Sequence, residues 1–408
     1  MYFTLYQTAA IMSIEKTKRR QKMEVKIIAE TSTNPKNFED ASDYNQFSGR
    51  VAGVCYMPGS YQDLENEPIE KTLKRANQTK GSGHHSVFDH EYVSLYLEDV
   101  PKLFAMLINN EKVYATSEKS ARYTVMTHCS EIEKKLYDKW YNIFVDEISK
   151  RYGNAGPFMS ENRIKKLAQE NARYFLSVYT PTCMVYTTSY RQLNYLAGWM
   201  QDLENSPSQL LQDLAPYANK LIDELKKANL LDQDLMNDRK GRTFSLLAKR
   251  DRSEEFGENY SINYKGSFAS LAQAQRHRTL DYEMSLIEPT EFYVPEILRD
   301  DAILVAQWLN DMQTVYKLHP QAELVKINER GTVENLILKS KERLCSCAQL
   351  EIMRQTKMTM MKYYFSTKNK EVSDYISPYL KGARCTSGDY VCTSPCAFKD
   401  GINLEREI

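Results

Sequence analysis

Neither sign of charge is in excess: 54 Lys and Arg balance 54 Asp and Glu over 408 residues. A neutral chain has no broad basic field to gather nucleic acid or an anionic membrane, so an anionic ligand has to be held by local groups of Arg. A run of 18 or more apolar residues is also missing, which argues against a membrane span. A secretory leader carries its positive charges ahead of its apolar stretch, whereas Lys16 to Lys22 follow it here. Residues 1–22 therefore read as an extension, with the fold opening at Met23, and a cytoplasmic location is expected. The eight cysteines are scattered and read as reduced thiols. His84, His85 and His90 lack the companion Cys or distant His that zinc sites pair with, so no metal is expected there.

What is present is enough for two domains with sizeable cores. Residues 24–30 and Tyr92 to Leu97 alternate as strands do. The spacing predicts helices over Ile69 to Gln78, from Pro101 to about Asn109, and over 131–151, 160–176 and 207–228. A charged stretch follows, with the best boundary near 235–243. Beyond it the pattern recurs: Phe88 to Tyr92 followed by VSLYL resembles Phe256 to Tyr260 followed by SINY, and each strand leads into a helix. This divides the chain into an extension (1–22), a first repeat (23–235), a second repeat (236–370) and a Cys-containing tail (371–408).

Three clusters carry chemistry. Gln275, Arg276, His277 and Arg278 end an apolar helix; they suit a phosphate or the electron-rich edge of a flavin, or equally a solvated basic helix end. Ser117 to Tyr123 places Glu118, Ser120 and Arg122 at alternate positions, which share one side of an extended backbone. These suit a phosphate and a ribose hydroxyl, or ordinary surface charge. Arg343 to Ile352 reads as the opening of a C-terminal helix that contains a Cys345-x-Cys347 pair, either redox or metal chemistry or small buried side chains.

Together these segments resemble the flavin-dependent thymidylate synthase family. The first half matches its motifs at His84-x-Ser86, Phe88-Asp89-His90, Glu118-x-Ser120-x-Arg122-Tyr123, Ala172-Arg173 and, for an NxR segment, Ser189-Tyr190-Arg191. Its RHR position has become Asn110-Glu111-Lys112, and the family's last Arg falls near Met200. The second half has Gln273-x-x-Arg276-His277-Arg278, Asn328-Glu329-Arg330, Asn335, and Arg343 six residues before Gln349. Ser117, Ala115 and Asp89 depart from the family's Asn, Ser and Glu. The losses are complementary, so two unequally decayed copies retain one full set.

The resemblance implies an α+β fold: two fused copies of the family domain, with a mixed or antiparallel sheet and long helices. It implies a methyltransferase that converts dUMP to dTMP, with FAD as cofactor and methylenetetrahydrofolate and NADPH as co-substrates. Arg343 is then the catalytic candidate. Glu118, Ser120, Arg122, Tyr123, Arg173, Gln273 and Arg276 would bind the nucleotide. His84, Ser86, Arg276, His277, Arg278, Asn328, Arg330 and Asn335 would bind FAD. The implied partners are a small nucleotide and a folate, without nucleic acid or membrane, in a homodimer that mimics the family's tetramer. Two alternatives are the same chemistry on another pyrimidine nucleotide such as UMP, and a non-catalytic flavin or nucleotide binder. In the tail, Cys385, Cys392 and Cys396 form a turn-rich cluster that reads as free thiols or as a structural zinc site remote from catalysis.

Overall fold

The computed structural model describes residues 23–31, 43–122, 124, 128–153, 159–247, 252–392, 396, 398–399 and 401–408. The 1–22 extension and Tyr123 lie outside the described residues. Two compact units emerge: Met1–Lys119 with Pro181–Phe244, and Ser120–Thr180 with Ser245–Ile408. Among the described residues no helix is long and apolar enough to cross a membrane.

The first unit holds β1 (Glu24–Glu30), α1 (Asp43–Tyr56), α2 (Ile69–Gly81), β2 (Tyr92–Pro101), α3 (Lys102–Ile108) and β3 (Tyr114–Glu118). The second takes α4 (Glu131–Tyr152) and α5 (Glu161–Ala172). The chain then returns to the first for β4 (Pro181–Ser189), α6 (Tyr190–Met200) and α7 (Ala215–Lys227). From Ser245 onward the chain is in the second unit, with β5 (Glu255–Phe256), β6 (Asn259–Ser267), α8 (Phe268–Ala274), β7 (Asp281–Leu286), α9 (Ala302–Val315), β8 (Leu324–Thr332), α10 (Val333–Arg343) and α11 (Leu350–Ser366). The fold is α+β, with two four-stranded antiparallel sheets of like order, β1-β2-β4-β3 and β5-β6-β8-β7.

Strand-to-helix joints explain the likeness of the sheets. The last residue of three strands caps the next helix: the hydroxyls of Ser189, Ser267 and Thr332 accept from Gln192, Ser270 and Asn335 N–H. Pro101 takes this place before α3, where its fixed φ suits a helix start. The joints also set the internal correspondence. Tyr92 pairs with Ser189 and Asn259 with Thr332, so Tyr92 corresponds to Asn259, one residue short of the expected Tyr260. Arg330 lies two residues before its cap, so the first-unit counterpart of Asn328-Glu329-Arg330 is Val185-Tyr186-Thr187, not Ser189-Tyr190-Arg191. α3 and α8 match in length, which sets Asn110-Glu111-Lys112 against Arg276-His277-Arg278. α6 and α10 match likewise, which sets Met200 against Arg343.

The core of the second unit is aromatic. Trp140 of α4 and Trp308 of α9 meet edge to face at 4.9 Å, with Phe144 and Phe175 against Trp308. Trp140 Nε1 donates to Asp311 at 2.8 Å. Residues 174–178 are stitched to 319–322 by main-chain bonds from Val178 N–H to His319 O and from Ala322 N–H to Tyr174 O.

Two expected helices differ. The 207–228 helix is interrupted after Gln212, where Asp213 and Leu214 turn the chain and Pro216 starts α7. Arg343 does not open a helix: it closes α10, and α11 begins at Leu350 after a connecting loop.

Candidate functional site

The second unit brings together residues far apart in sequence. Arg343, last in α10, donates from Nε to His277 Nε2 at 2.7 Å. Its Nη2 reaches the carbonyl of Gln273 at 3.4 Å. His277 follows α8, and burial, then Arg343 and Lys339, push its pKa down to about 2. The ring is therefore neutral, and its acceptor role toward Arg343 leaves the proton on Nδ1.

A second group centres on Gln349. Its Oε1 accepts from Arg173 Nη2 at 2.5 Å and from Gln273 Nε2. Its Nε2 donates to Tyr174 Oη, which donates to Glu351 at 2.7 Å. Glu351 also accepts from Ser267 N–H and Oγ–H at 2.7 and 2.6 Å. Burial raises the Glu351 carboxyl pKa against the pull of these donors. Arg173 is 6% exposed, and its Nε finds no partner among the described residues. The same holds for Gln273 Oε1. Buried polar atoms left open next to one another are costly unless something else satisfies them.

Arg122 completes this side, pairing with Glu170 through Nε and donating from Nη2 to Cys347 O at 2.9 Å. The expected alternation over Ser117 to Tyr123 ends early. β3 stops at Glu118, and a turn follows in which Ser120 O accepts from Thr124 N–H and Ser120 Oγ from Arg122 N–H at 3.3 Å. Ser120 and Arg122 thus share a turn, not one side of a strand. A cavity of about 270 Å³ lies here, lined by Arg122, Arg163, Lys166, Glu170 and Cys347.

Arg276 and Arg278 are exposed just past α8. Arg330 bonds Glu283 at 2.9 Å, which Arg252 also holds. Asn328 donates to Ser261 Oγ and Asn263 Oδ1 at 2.9 and 3.1 Å. Asn335 Nδ2 donates to Thr279 O at 3.1 Å. Arg330 and Asn335 line a cavity of about 560 Å³ with Arg252, Thr279 and Asp281. Beneath α10 a buried Lys339–Glu329 pair at 2.5 Å also receives the Tyr260 and Tyr264 hydroxyls, each at 2.8 Å.

The remaining candidates belong to the first unit. Lys102 Nζ engages Glu118 at 2.5 Å. His84 and Ser86 are exposed, while His85 is buried against Tyr195 Oη at 2.8 Å. His84 lines a cavity of about 620 Å³ with Lys71, Lys74, Arg75 and Gln78. Sequence reasoning noted Gln349 only for its spacing from Arg343 and missed Gln349, Tyr174 and Glu351 as a connected set. Among the described residues no group of three or more His, Cys, Asp or Glu is placed to hold a metal, the tail cysteines included. The tail is not remote from this site. Arg406 Nη2 donates to Ala348 O and Arg384 N–H to Leu344 O, so it fixes the loop between α10 and α11.

The family model described as thymidylate synthase complementing protein, Thy1, matches residues 40–205. Over that stretch the chain is Thy1-like. The Thy1-like stretch contributes to both units. Comparison with curated protein sequences gives no match. Among solved structures, the chain is similar to the UMP/dUMP methylase PolB from Streptomyces cacaoi bound with 5-Br dUMP. The TM-score is 0.32 and the identity 14%, over 53% of this chain and 94% of that one. It is also similar to thymidylate synthase X from Helicobacter pylori with FAD and dUMP, with a TM-score of 0.30 and 17% identity, over 52% of this chain and 99% of that one. About half of this chain thus spans nearly the whole of each.

Proposed function

We propose that the chain methylates dUMP to dTMP, with methylenetetrahydrofolate as carbon donor, FAD as cofactor and NADPH as reductant. One observation carries this reading. Arg122 and Arg173, from the Thy1-like stretch, and Gln273, His277, Arg343 and Gln349, from the second half, meet in one unit with buried Arg173 Nε and Gln273 Oε1 left open. A pyrimidine nucleotide offers both acceptors and a donor for such atoms.

Exposed Arg276 and Arg278, with Arg330 and Asn335 along the larger cavity of the second unit, form a donor set that suits an anionic dinucleotide cofactor. These residues, with His277 and Asn328, would hold FAD, and His84 and Ser86 would reach it across the subunit boundary. Bound reduced FAD would supply the hydride that completes the methyl group. The chain's own residues position and polarise. C5 of uracil is a weak nucleophile, and charge builds on the pyrimidine carbonyl oxygens as it attacks. Arg343, held in direction by neutral His277, stabilises that charge. Arg122, Arg173 and Ser120 bind phosphate, and Gln273, oriented by Gln349, addresses the base. Glu118 and Tyr123 remain the sugar-side candidates.

The test is to purify the protein, record the flavin absorbance, and follow loss of labelled hydrogen from C5 of dUMP and of UMP with the folate and NADPH. Flavin with turnover of dUMP is expected. Turnover of UMP alone would move the reading to the ribonucleotide, and flavin without turnover of either would make the chain a binder.

A further inference from the structure

The Cys345-x-Cys347 pair has no role in the chemistry above, yet it occupies the loop between α10 and α11. That loop is tightly wound. Cys345 N–H donates to Arg343 O at 2.8 Å, and Ala348 N–H to Cys345 O at 3.0 Å. Cys347 N–H points at Cys345 Sγ, 3.5 Å away. Cys345 is half-buried and Cys347 exposed, so burial of a small apolar side chain does not account for both.

We propose that Cys345 and Cys347 are a redox-active dithiol that hydrogen peroxide converts to a disulfide, and that this modification weakens the nucleotide site through the loop they share. The arrangement supplies the species such a step needs. The neighbouring Cys347 thiol and N–H, then the Arg384 and Arg406 guanidiniums, draw the Cys345 pKa down, while the neighbouring Cys345 and burial raise that of Cys347. Cys345 is thus the sulfur that ionises more readily, and Cys347 the one that keeps its proton longer. The Cys345 thiolate attacks a peroxide oxygen; the S–O bond forms, the O–O bond breaks and hydroxide leaves. The Cys347 sulfur then attacks the sulfenic sulfur; the S–S bond forms, the S–O bond breaks, and water leaves with the Cys347 proton. The dithiol is oxidised by two electrons and the peroxide reduced by two.

The consequence follows from geometry. A disulfide brings the sulfurs to about 2.05 Å, so the turn that now sets the Cys347 N–H 3.5 Å from Cys345 Sγ has to tighten. The loop's outer anchors, Arg384 N–H on Leu344 O and Arg406 on Ala348 O, hold the main chain at both ends of the pair. The movement therefore falls on the segment between them, whose Cys347 carbonyl receives Arg122 Nη2. Gln349, two residues on, carries Arg173 and Gln273.

The formation of the link is read by mass and is independent of the proposed function; its effect on dUMP rests on that reading. Reduced protein is treated with a few equivalents of hydrogen peroxide, remaining thiols are alkylated, and peptides are mapped. A Cys345–Cys347 link reversed by dithiothreitol is expected, and in Cys347→Ser a Cys345 sulfenic acid that dimedone traps. Alkylation of both cysteines, or a link from Cys345 to Cys385 or Cys396, would overturn the proposal. Calorimetry with dUMP should then show binding about tenfold weaker after oxidation, on the order of one charge-assisted hydrogen bond. Equal affinity in both forms would overturn the coupling. Failure of dUMP to bind even the reduced protein would defeat the proposed function, with the mapped disulfide still deciding the chemistry.

Discussion

Arg343 depends on its neighbours for direction. Its Nε is committed to His277 and its Nη2 to the Gln273 carbonyl, a division that a planar guanidinium permits and an ammonium does not. Arg343→Lys is expected to keep bound flavin while turnover of dUMP falls about a hundredfold, as for loss of an oxyanion donor; the flavin spectrum and kcat measured on one preparation check this. His277 makes a separate prediction. An unfolded imidazole takes up a proton near its usual 6.5, whereas the folded one does so only near about 2. The unfolded state therefore binds more protons between those values, and stability falls as pH drops through that window by roughly 1.4 kcal/mol per pH unit. His277→Gln should remove about 2 kcal/mol of the stability lost between about pH 7 and pH 5. Denaturant unfolding at the two values reads it, and an unchanged loss would mean the ring is not held neutral. The identities of His277 and Arg343 were legible in the sequence. Their contact was not, because they come from different elements, and only the packing of α8 against the end of α10 joins them.

At the scale of elements, the loop after α10 is held from outside by the tail. Arg406 is buried, stacks over Phe398 at 4.8 Å and donates to the carbonyls of Ala348 and Ile408. Leu344, Ala348, Leu350, Met353, Ala383 and Leu404 form one apolar cluster with Cys385 against it, so loop and tail share a core. Arg406→Ala leaves a buried carbonyl without a partner and should cost about 1–3 kcal/mol. Because Gln349 is next to Ala348, dUMP binding should weaken as well; intact affinity in a destabilised variant would separate the tail from the site. That each strand leads into a helix was readable, whereas the hydroxyl caps of Ser189, Ser267 and Thr332 emerged only from the structure. The role of the tail was not, since turn-rich composition shows a segment lacking regular structure but not what it covers. The turn after Glu118 misled for a similar reason: alternation predicts a shared side only while the chain stays extended.

For the whole molecule, each sheet has one RHR position, and the two differ in kind. Around Arg276 and Arg278 the side chains are exposed and cationic, whereas the counterpart Glu111 is a buried carboxylate. Flavin titration should therefore saturate at about one FAD per chain, a single preformed pocket. Two per chain would show that the first unit keeps a working flavin site. A homodimer with two such sites is the assembly expected in sedimentation, and a monomer retaining full turnover would remove the need for it.

The sequence by itself determined the local grammar of this protein. It set strands that end on a capping hydroxyl, helices that start there, and the recurrence of that strand–helix pattern in both halves. These are properties of neighbours in the chain, where propensity and spacing act. Only the tertiary structure decided which of the motif residues are joined. Residues 120–180 leave the sheet they follow and join the second unit because Trp140, Phe144 and Phe175 pack around Trp308 there. That burial of large aromatic surfaces is a long-range term that no local spacing encodes. It carries Arg173 to Gln349 and Arg122 to the Cys347 carbonyl, and so assembles the candidate site.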